Sequence, residues 1–169
     1  MDQMRKQKRT SSKVGGPFLA AAFYCDGIIE GKDGSLSVMK IIDGCKIEIA
    51  ENTPAEFPSP ENPIHINPSA LITFRTGDSP GPHVVGLVLE GPDGHRQSLP
   101  DQKFDLENTQ HGGVNIRTHL GISTHTSGIF WLDVYLDGKL VTRMPFNLQI
   151  QRLKQQVKPK ISSKVKHKP

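Results

Sequence analysis

Residues 129–150 read IFWLDVYLDGKLVTRMPFNLQI, two runs of alternating apolar and other residues joined by Asp137-Gly138. A period of two places Phe130 and Leu132 on one face of a strand and the intervening residues on the other. Asp-Gly is favoured in tight hairpins because glycine accepts a positive φ without a Cβ clash. The stretch therefore predicts two antiparallel strands that share one buried face.

The same pattern recurs along the chain. Four further Asp-Gly dipeptides, at 26–27, 33–34, 43–44 and 93–94, stand near short β-branched or alternating runs, and no segment keeps helical spacing over ten residues. We expect strands at 18–25, 35–42, 46–50, 70–76, 83–90, 95–99, 114–122, 129–136 and 139–150. The fold class predicted is all-β, an antiparallel β-sandwich, Ig-like or C2-like, with about seven to nine strands and minimal helix.

Two segments depart from simple alternation. Residues 51–68 hold five prolines, which predicts a long extended crossover, because proline cannot donate to a sheet ladder. Residues 83–89 (HVVGLVL) are apolar on both faces, which predicts a central strand covered on both sides.

Charge is divided unevenly along the 169 residues. Residues 1–16 carry a net +4 and residues 152–169 a net +7, whereas residues 17–151 hold 9 basic and 16 acidic residues. We expect one sandwich domain at 17–151 between two disordered basic tails, since such ends bury too little apolar surface to order. No apolar run approaches the roughly 18 residues of a membrane-spanning helix.

The only two thiols, Cys25 and Cys45, give no sign of a disulfide framework. The apolar run at 18–25 follows basic residues, as in a signal peptide, but it is only eight residues long and leads into Asp26-Gly27 without a small-residue cleavage site. We therefore interpret it as a first strand and expect a cytoplasmic protein with reduced cysteines.

One outer sheet face stands out as a candidate partner surface. If the last three predicted strands form a meander, their polar positions share a single face. That face would gather Arg117, His119, Trp131, Asp133, Tyr135 and Arg143. Tryptophan, tyrosine and arginine are enriched at binding hot spots, although cross-strand ion pairs on a solvated sheet give the same pattern.

Catalytic and metal motifs are missing from the sequence. His111, His119 and His125 cluster within fifteen residues, which makes them a candidate metal site, but no HxH, HExxH or CxxC spacing occurs. There is no GxSxG, no phosphate-binding GxxxxGK[ST] and no dinucleotide fingerprint. We expect no cofactor and no enzymatic activity.

The basic C-terminal segment is a second candidate interface. It presents seven cations without an acidic residue: Arg152, Lys154, Lys158, Lys160, Lys164, Lys166 and Lys168. Such a segment binds nucleic acid or another polyanion by counterion release, although it has no aromatic residue on which bases can stack. A solubilising tail is the alternative interpretation.

Five segments follow one another in order along this chain: AAFYCDG (21–27), KDGSLSVMKIIDG (32–44), EFP (56–58), HVVGLVLEGPDG (83–94) and SGIFWLDVYLDGKLVTRMPF (127–146). Their order resembles that in a family of small bacterial proteins catalogued only as a domain of unknown function. The resemblance covers residues 18–150. It implies a bacterial β-sandwich and carries over no catalytic residue. The sequence thus favours a non-enzymatic interaction module that binds a protein partner.

Overall fold

The computed structural model describes residues 15–107 and 112–153 of the chain. Within these residues the chain forms twelve strands and no helix. The strands are β1 (Phe18–Glu30), β2 (Leu36–Ile42), β3 (Gly44–Ile49), β4 (Ile64–Ile66), β5 (Ser69–Arg75), β6 (Gly81–Glu90), β7 (Arg96–Ser98), β8 (Gln102–Leu106), β9 (Gly113–His119), β10 (Ile122–Thr124), β11 (Gly128–Leu136) and β12 (Lys139–Arg152). No helix of the described part is therefore long and apolar enough to cross a membrane.

The strands form two large sheets and one small one. The first has the order β2-β1-β5-β9, and the second has the order β3-β12-β11-β6, with β7 and β8 both paired to β6. The short strands β4 and β10 pair with each other. All pairs are antiparallel except β3 with β12, which is parallel. The all-β prediction is confirmed, with more strands than expected and one parallel pair.

The two large sheets face each other across a common core. Seventeen buried residues form it, fifteen from the two large sheets together with Leu120 and with Ile122 of β10: Tyr24, Ala70, Ile72, Phe74, Val85, Leu87, Leu89, Ile116, Leu120, Ile122, Phe130, Leu132, Val134, Leu136, Met144, Phe146 and Leu148. The hydroxyl of Tyr24 in β1 donates to the carbonyl of Met144 in β12 at 2.9 Å, which joins the sheets by a buried hydrogen bond. Burial raises the pKa of Tyr24 well above its usual range.

Three of the five Asp-Gly dipeptides form the hairpin turns that the sequence predicts. They are Asp33-Gly34 between β1 and β2, Asp93-Gly94 between β6 and β7, and Asp137-Gly138 between β11 and β12, and each glycine has a positive φ. The other two do not form hairpins. Asp26-Gly27 lies inside β1, which runs on to Glu30.

The Asp43-Gly44 pair carries the chain from one sheet to the other. Asp43 is the single residue between β2, which pairs with β1, and β3, which pairs with β12. The amide of Asn147 donates to the Asp43 carbonyl at 2.9 Å. A Cβ at position 44 would collide with the Asn147 backbone, so only glycine fits this close approach.

Two predictions about the middle of the chain also have clear outcomes. β6 pairs with β11 on one side and with β7 and β8 on the other, which confirms the predicted central strand. The proline-rich segment 51–68 is largely irregular, but it contains the short strand β4. The predicted tails at 1–16 and 152–169 fall mostly outside the described residues.

Candidate interaction surface

The outer face of the six-stranded sheet carries a cluster of charged and aromatic side chains. Along β11, Trp131, Asp133 and Tyr135 alternate with residues of the core. The register places Asp133 directly opposite Arg143 of β12, and Trp131 opposite Glu90 of β6. We call the cluster the Trp131 face, and its members are Glu90, Arg96, Trp131, Asp133, Tyr135 and Arg143.

Asp133 is the centre of this face and is only 4% exposed. Nη2 of Arg96 donates to its Oδ2 at 2.8 Å, and Nε of Arg143 lies 2.9 Å from its Oδ1. The second contact is an ion pair without an aligned N–H, so Oδ1 has no hydrogen-bond partner among the described residues. A nearly buried carboxylate is stable here because two cations flank it.

Glu90 closes the charge cluster on the side of β6. Its Oε1 lies 2.8 Å from Nη2 of Arg143, and its Oε2 lies 3.7 Å from Nε of Arg96. Two cations and two anions therefore balance, and Arg96 and Arg143 are each held by both acids. The partly exposed guanidinium groups are fixed in position without giving the face a net charge.

Both aromatic side chains contact this charge cluster and are themselves partly exposed. The Cζ atom of Arg143 lies 4.8 Å from the centre of the Trp131 ring, within the range of a cation–π contact. Nη2 of Arg96 lies 3.4 Å from the hydroxyl of Tyr135. The sheet thus presents two aromatic rings beside two oriented guanidinium groups.

Two members of the sequence-predicted surface lie elsewhere. Arg117 and His119 belong to β9, which pairs with β5 in the four-stranded sheet, so the predicted three-strand meander is wrong. Nη1 of Arg117 lies 2.9 Å from Oε2 of Glu30, and Nδ1 of His119 lies 3.1 Å from Oγ of Ser69, its direct cross-strand neighbour. Local alternation assigned the correct face of β9 but not its sheet.

Sequence reasoning also missed Glu90 and Arg96, which complete the face. They flank the Asp93-Gly94 turn and lie directly opposite each other in the β6–β7 hairpin. An acid and a base placed symmetrically around a tight turn are cross-strand neighbours, so this signal was available in the sequence.

Arg152 was assigned to the basic tail, and that assignment is wrong. Arg152 is the last residue of β12, and its side chain caps the proline-rich crossover. Its guanidinium donates to four backbone carbonyls, those of Thr53 at 2.9 Å, Pro54 at 2.9 Å, Ala55 at 3.2 Å and Phe57 at 2.6 Å. The other predicted tail residues, Lys154, Lys158, Lys160, Lys164, Lys166 and Lys168, lie outside the described residues.

The histidines of the metal hypothesis are distributed over different places. His119 bonds Ser69, and His125 lines a cleft of about 210 Å³ beside the β6–β7 turn, together with His95 and Phe130. His111 lies outside the described residues. Among the residues that are described, no three His, Cys, Asp or Glu side chains come together closely enough to hold a metal ion.

Both ring nitrogens of His83 contact a partner. Its Nε2 donates to the carbonyl of Ser79 at 3.1 Å, and its Nδ1 lies 2.7 Å from Oδ2 of Asp137 in the β11–β12 turn. Burial lowers the pKa of His83, but the contact with Asp137, helped by Ser79 and Asp105, outweighs it and raises the pKa overall. The same contact lowers the pKa of Asp137.

Neither the family models nor the curated proteins contain a match to this chain. Among solved structures, it is similar to the alkylpurine DNA glycosylase AlkC of Pseudomonas fluorescens, bound to DNA containing an abasic site analog, with 21% identity and a TM-score of 0.39. That match covers 51% of this chain and 26% of the glycosylase.

Two other similar structures come from different proteins. The β-glucosidase of Listeria innocua in complex with glucose matches with 10% identity and a TM-score of 0.39, over 65% of this chain and 15% of the enzyme. The CupB6 tip adhesin of Pseudomonas aeruginosa matches with 12% identity and a TM-score of 0.32, over 68% of this chain and 42% of the adhesin. This chain thus spans less than half the length of each of the three.

Proposed function

We propose that this chain is a non-enzymatic interaction module of the cytoplasm, which binds a protein partner through the Trp131 face. The observation that carries the proposal is the arrangement of Trp131 and Tyr135 beside two guanidinium groups that Asp133 and Glu90 hold in position. Trp, Tyr and Arg are enriched among the few residues that carry most of the binding energy of a protein interface. The cytoplasmic part of the proposal is supported by Cys25 and Cys45, which are both free thiols.

Preorganisation is the physical reason for choosing this face. A flexible arginine loses about 0.5–1.5 kcal/mol of side-chain entropy when a partner immobilises it. Arg96 and Arg143 are already held by Asp133 and Glu90, so that cost is met on folding. Their partly exposed N–H groups suit backbone carbonyls or a carboxylate of the partner.

The face also meets the partner without a net charge. Its two acids and two arginines cancel, so affinity would come from aromatic burial and directed hydrogen bonds rather than from long-range attraction. We therefore expect binding that depends only weakly on salt concentration, in contrast to a polyanion interaction.

The test uses three forms of the full chain: wild type, Trp131→Ala and the matched control Phe18→Ala. Phe18 is an exposed aromatic residue on β1, in the other sheet. A partner first captured on wild-type protein is purified, and its dissociation constant is measured for each form. Trp131→Ala is expected to weaken binding by about tenfold or more, and Phe18→Ala to leave it unchanged. Equal affinity of all three forms would refute the proposal.

A second candidate function is polyanion binding by the C-terminal segment. Residues 154–169 carry six lysines and no acid, whereas the described residues hold 16 acids and 10 bases. The full chain and a form ending at residue 153 are compared for binding to DNA and RNA at two salt concentrations. Salt-sensitive binding of the full chain alone would support this function, and equal binding of both forms would exclude it.

A further inference from the structure

Strand β2 forms an open edge of the four-stranded sheet. It pairs with β1 on one side, and among the described strands none pairs with its other side. Its sequence, LSVMKII, contains a single charged residue. Open edges offer unpaired backbone groups to another strand, and proteins usually protect them with charges or irregular backbone.

The β1–β2 hairpin also exposes three large apolar side chains. Ile29 is 53% exposed, Met39 is 49% exposed and Ile41 is 61% exposed. The register pairs Met39 with Gly27 and Ile41 with Cys25, so all three side chains project from the same face of the hairpin. Met39 lies over Gly27, where a Cβ would come within 2.8 Å of its Cε atom. These residues form one apolar patch beside the open edge.

Charge sets this edge apart from the other outer strands. Nζ of Lys40, the one charged residue of β2, lies 2.8 Å from Oδ2 of Asp26, so its charge is neutralised within the hairpin. Residues Leu36–Met39 of β2 contain no charged side chain, whereas each other outer strand of the two large sheets contains at least one: β3 has Lys46 and Glu48, β7 has Arg96, β8 has Lys103 and Asp105, and β9 has Arg117.

Two-fold pairing of identical strands brings the same charges of both copies together, and like charges directly opposite each other destabilise a strand pair. Residues Leu36–Met39 bring no charge to such a contact and lie beside the apolar patch. We infer that β2 is a self-association edge, on which β2 of a second copy pairs antiparallel about a two-fold axis. Identical strands then satisfy each other's backbone groups, and the two apolar patches become continuous across the axis.

The backbone limits this contact to the first part of the strand. Lys40 has a φ of 49°, and the pairing between β1 and β2 is interrupted at that position. The regular edge is therefore Leu36–Met39, while Ile41 contributes its side chain to the apolar patch. A short edge of this kind gives a reversible dimer whose fraction rises with protein concentration.

Sedimentation velocity of the full chain over a range of concentrations tests the inference. Wild-type protein is expected to shift from monomer to dimer, and Ile41→Lys to weaken the dimer by about tenfold or more. The matched control is Ile129→Lys, an exposed isoleucine in the six-stranded sheet, which should dimerise as wild type does. Thermal unfolding shows whether each variant is folded. A wild-type protein that stays monomeric at every concentration would overturn the inference, as would an equal loss of dimer in both variants.

Hydrogen exchange then locates the contact. Amides of residues 36–39 should gain protection from exchange as the protein concentration rises. Amides of β3, the edge strand of the six-stranded sheet, should not. Dimerisation without new protection in β2 would overturn strand pairing as its basis. Because these measurements need no partner protein, their failure leaves the proposed function of the Trp131 face standing.

Discussion

Arg143 lies over the ring of Trp131, with its Cζ atom 4.8 Å from the ring centre. The guanidinium reaches this position because Asp133, directly opposite in the β11–β12 register, draws its Nε to 2.9 Å. One nearly buried carboxylate therefore orients a cation against the aromatic residue that we propose as the main binding contact. Removing that carboxylate should affect both the stability of the fold and the surroundings of Trp131.

Asp133→Asn is expected to destabilise the fold by about 2 kcal/mol, since it leaves two arginines beside a neutral amide at a nearly buried position. Urea unfolding measures the loss. Trp131 is the only tryptophan in the chain, so its fluorescence should also change in the folded state. The exposed Asp78→Asn is the control, and an equal effect of both variants would contradict the role assigned to Asp133.

Gly44→Ala should destabilise the protein by about 2 kcal/mol, because the added methyl group collides with backbone of Asn147 where the chain passes between sheets. Gly121→Ala provides the matched control, since nothing lies within 4 Å of a Cβ at that position. The difference in thermal midpoint between the two variants is the measurement. Similar midpoints would mean that the crossing at Asp43-Gly44 is looser than the structure shows.

Arg152→Lys should cost about 1–2 kcal/mol of unfolding free energy, because lysine cannot reproduce the planar fork that donates to four carbonyls. The control is Arg75→Lys on the exposed side of β5. Truncation after residue 153 should leave stability nearly unchanged, since Arg152 remains in place. If the truncation destabilised the protein and Arg152→Lys did not, Arg152 would not be the residue that secures the C-terminal end of the folded unit.

The His83–Asp137 contact should make stability depend on pH. The pKa of His83 is raised in the folded state, so its stabilisation is complete below the ordinary histidine pKa of 6.5 and disappears as the pH rises through the folded-state value. The pKa of Asp137 is lowered, so its share is present above 3.8 and disappears as the pH falls. The unfolding free energy should therefore decrease from about pH 6 to about pH 8.

Comparison with variants isolates this contribution. His83→Gln should remove that part of the pH dependence, while His95→Gln, which changes an exposed histidine of the β6–β7 turn, should retain it. The measurement is urea unfolding of the three proteins at both pH values. If the unfolding free energy of wild type changed between the two pH values by as much as that of His83→Gln, the His83–Asp137 contact would contribute nothing to the pH dependence of stability.

Local sequence patterns predicted much of the fold. Alternation over 129–150 gave the buried face of β11 and β12, and the apolar stretch at 83–89 gave the central strand β6. These features depend on neighbours in sequence, where the period of two and the turn chemistry of Asp-Gly are sufficient.

The features that the sequence did not predict depend on long-range pairing. The residues of β9 and its neighbours in sequence do not show whether β9 pairs with β11 or with β5. The prediction that Arg117 and His119 share a sheet with Trp131 is therefore wrong. Charge composition groups Arg152 with the lysines that follow it, because composition contains no information about the backbone carbonyls of residues 53–55 and 57 that Arg152 contacts in the fold. The Asp26-Gly27 dipeptide looked like a turn, but Gly27 lies within a paired strand, opposite Met39.

The most direct test of the central claim is ¹⁹F NMR of the protein with 5-fluorotryptophan at its single tryptophan, Trp131. The probe has no background from the partner and reports only on the proposed contact face. Titration with the captured partner should shift or broaden the one resonance in proportion to the bound fraction. A partner that binds while the resonance stays unchanged would show that it contacts another surface, and the proposed function of the Trp131 face would be wrong.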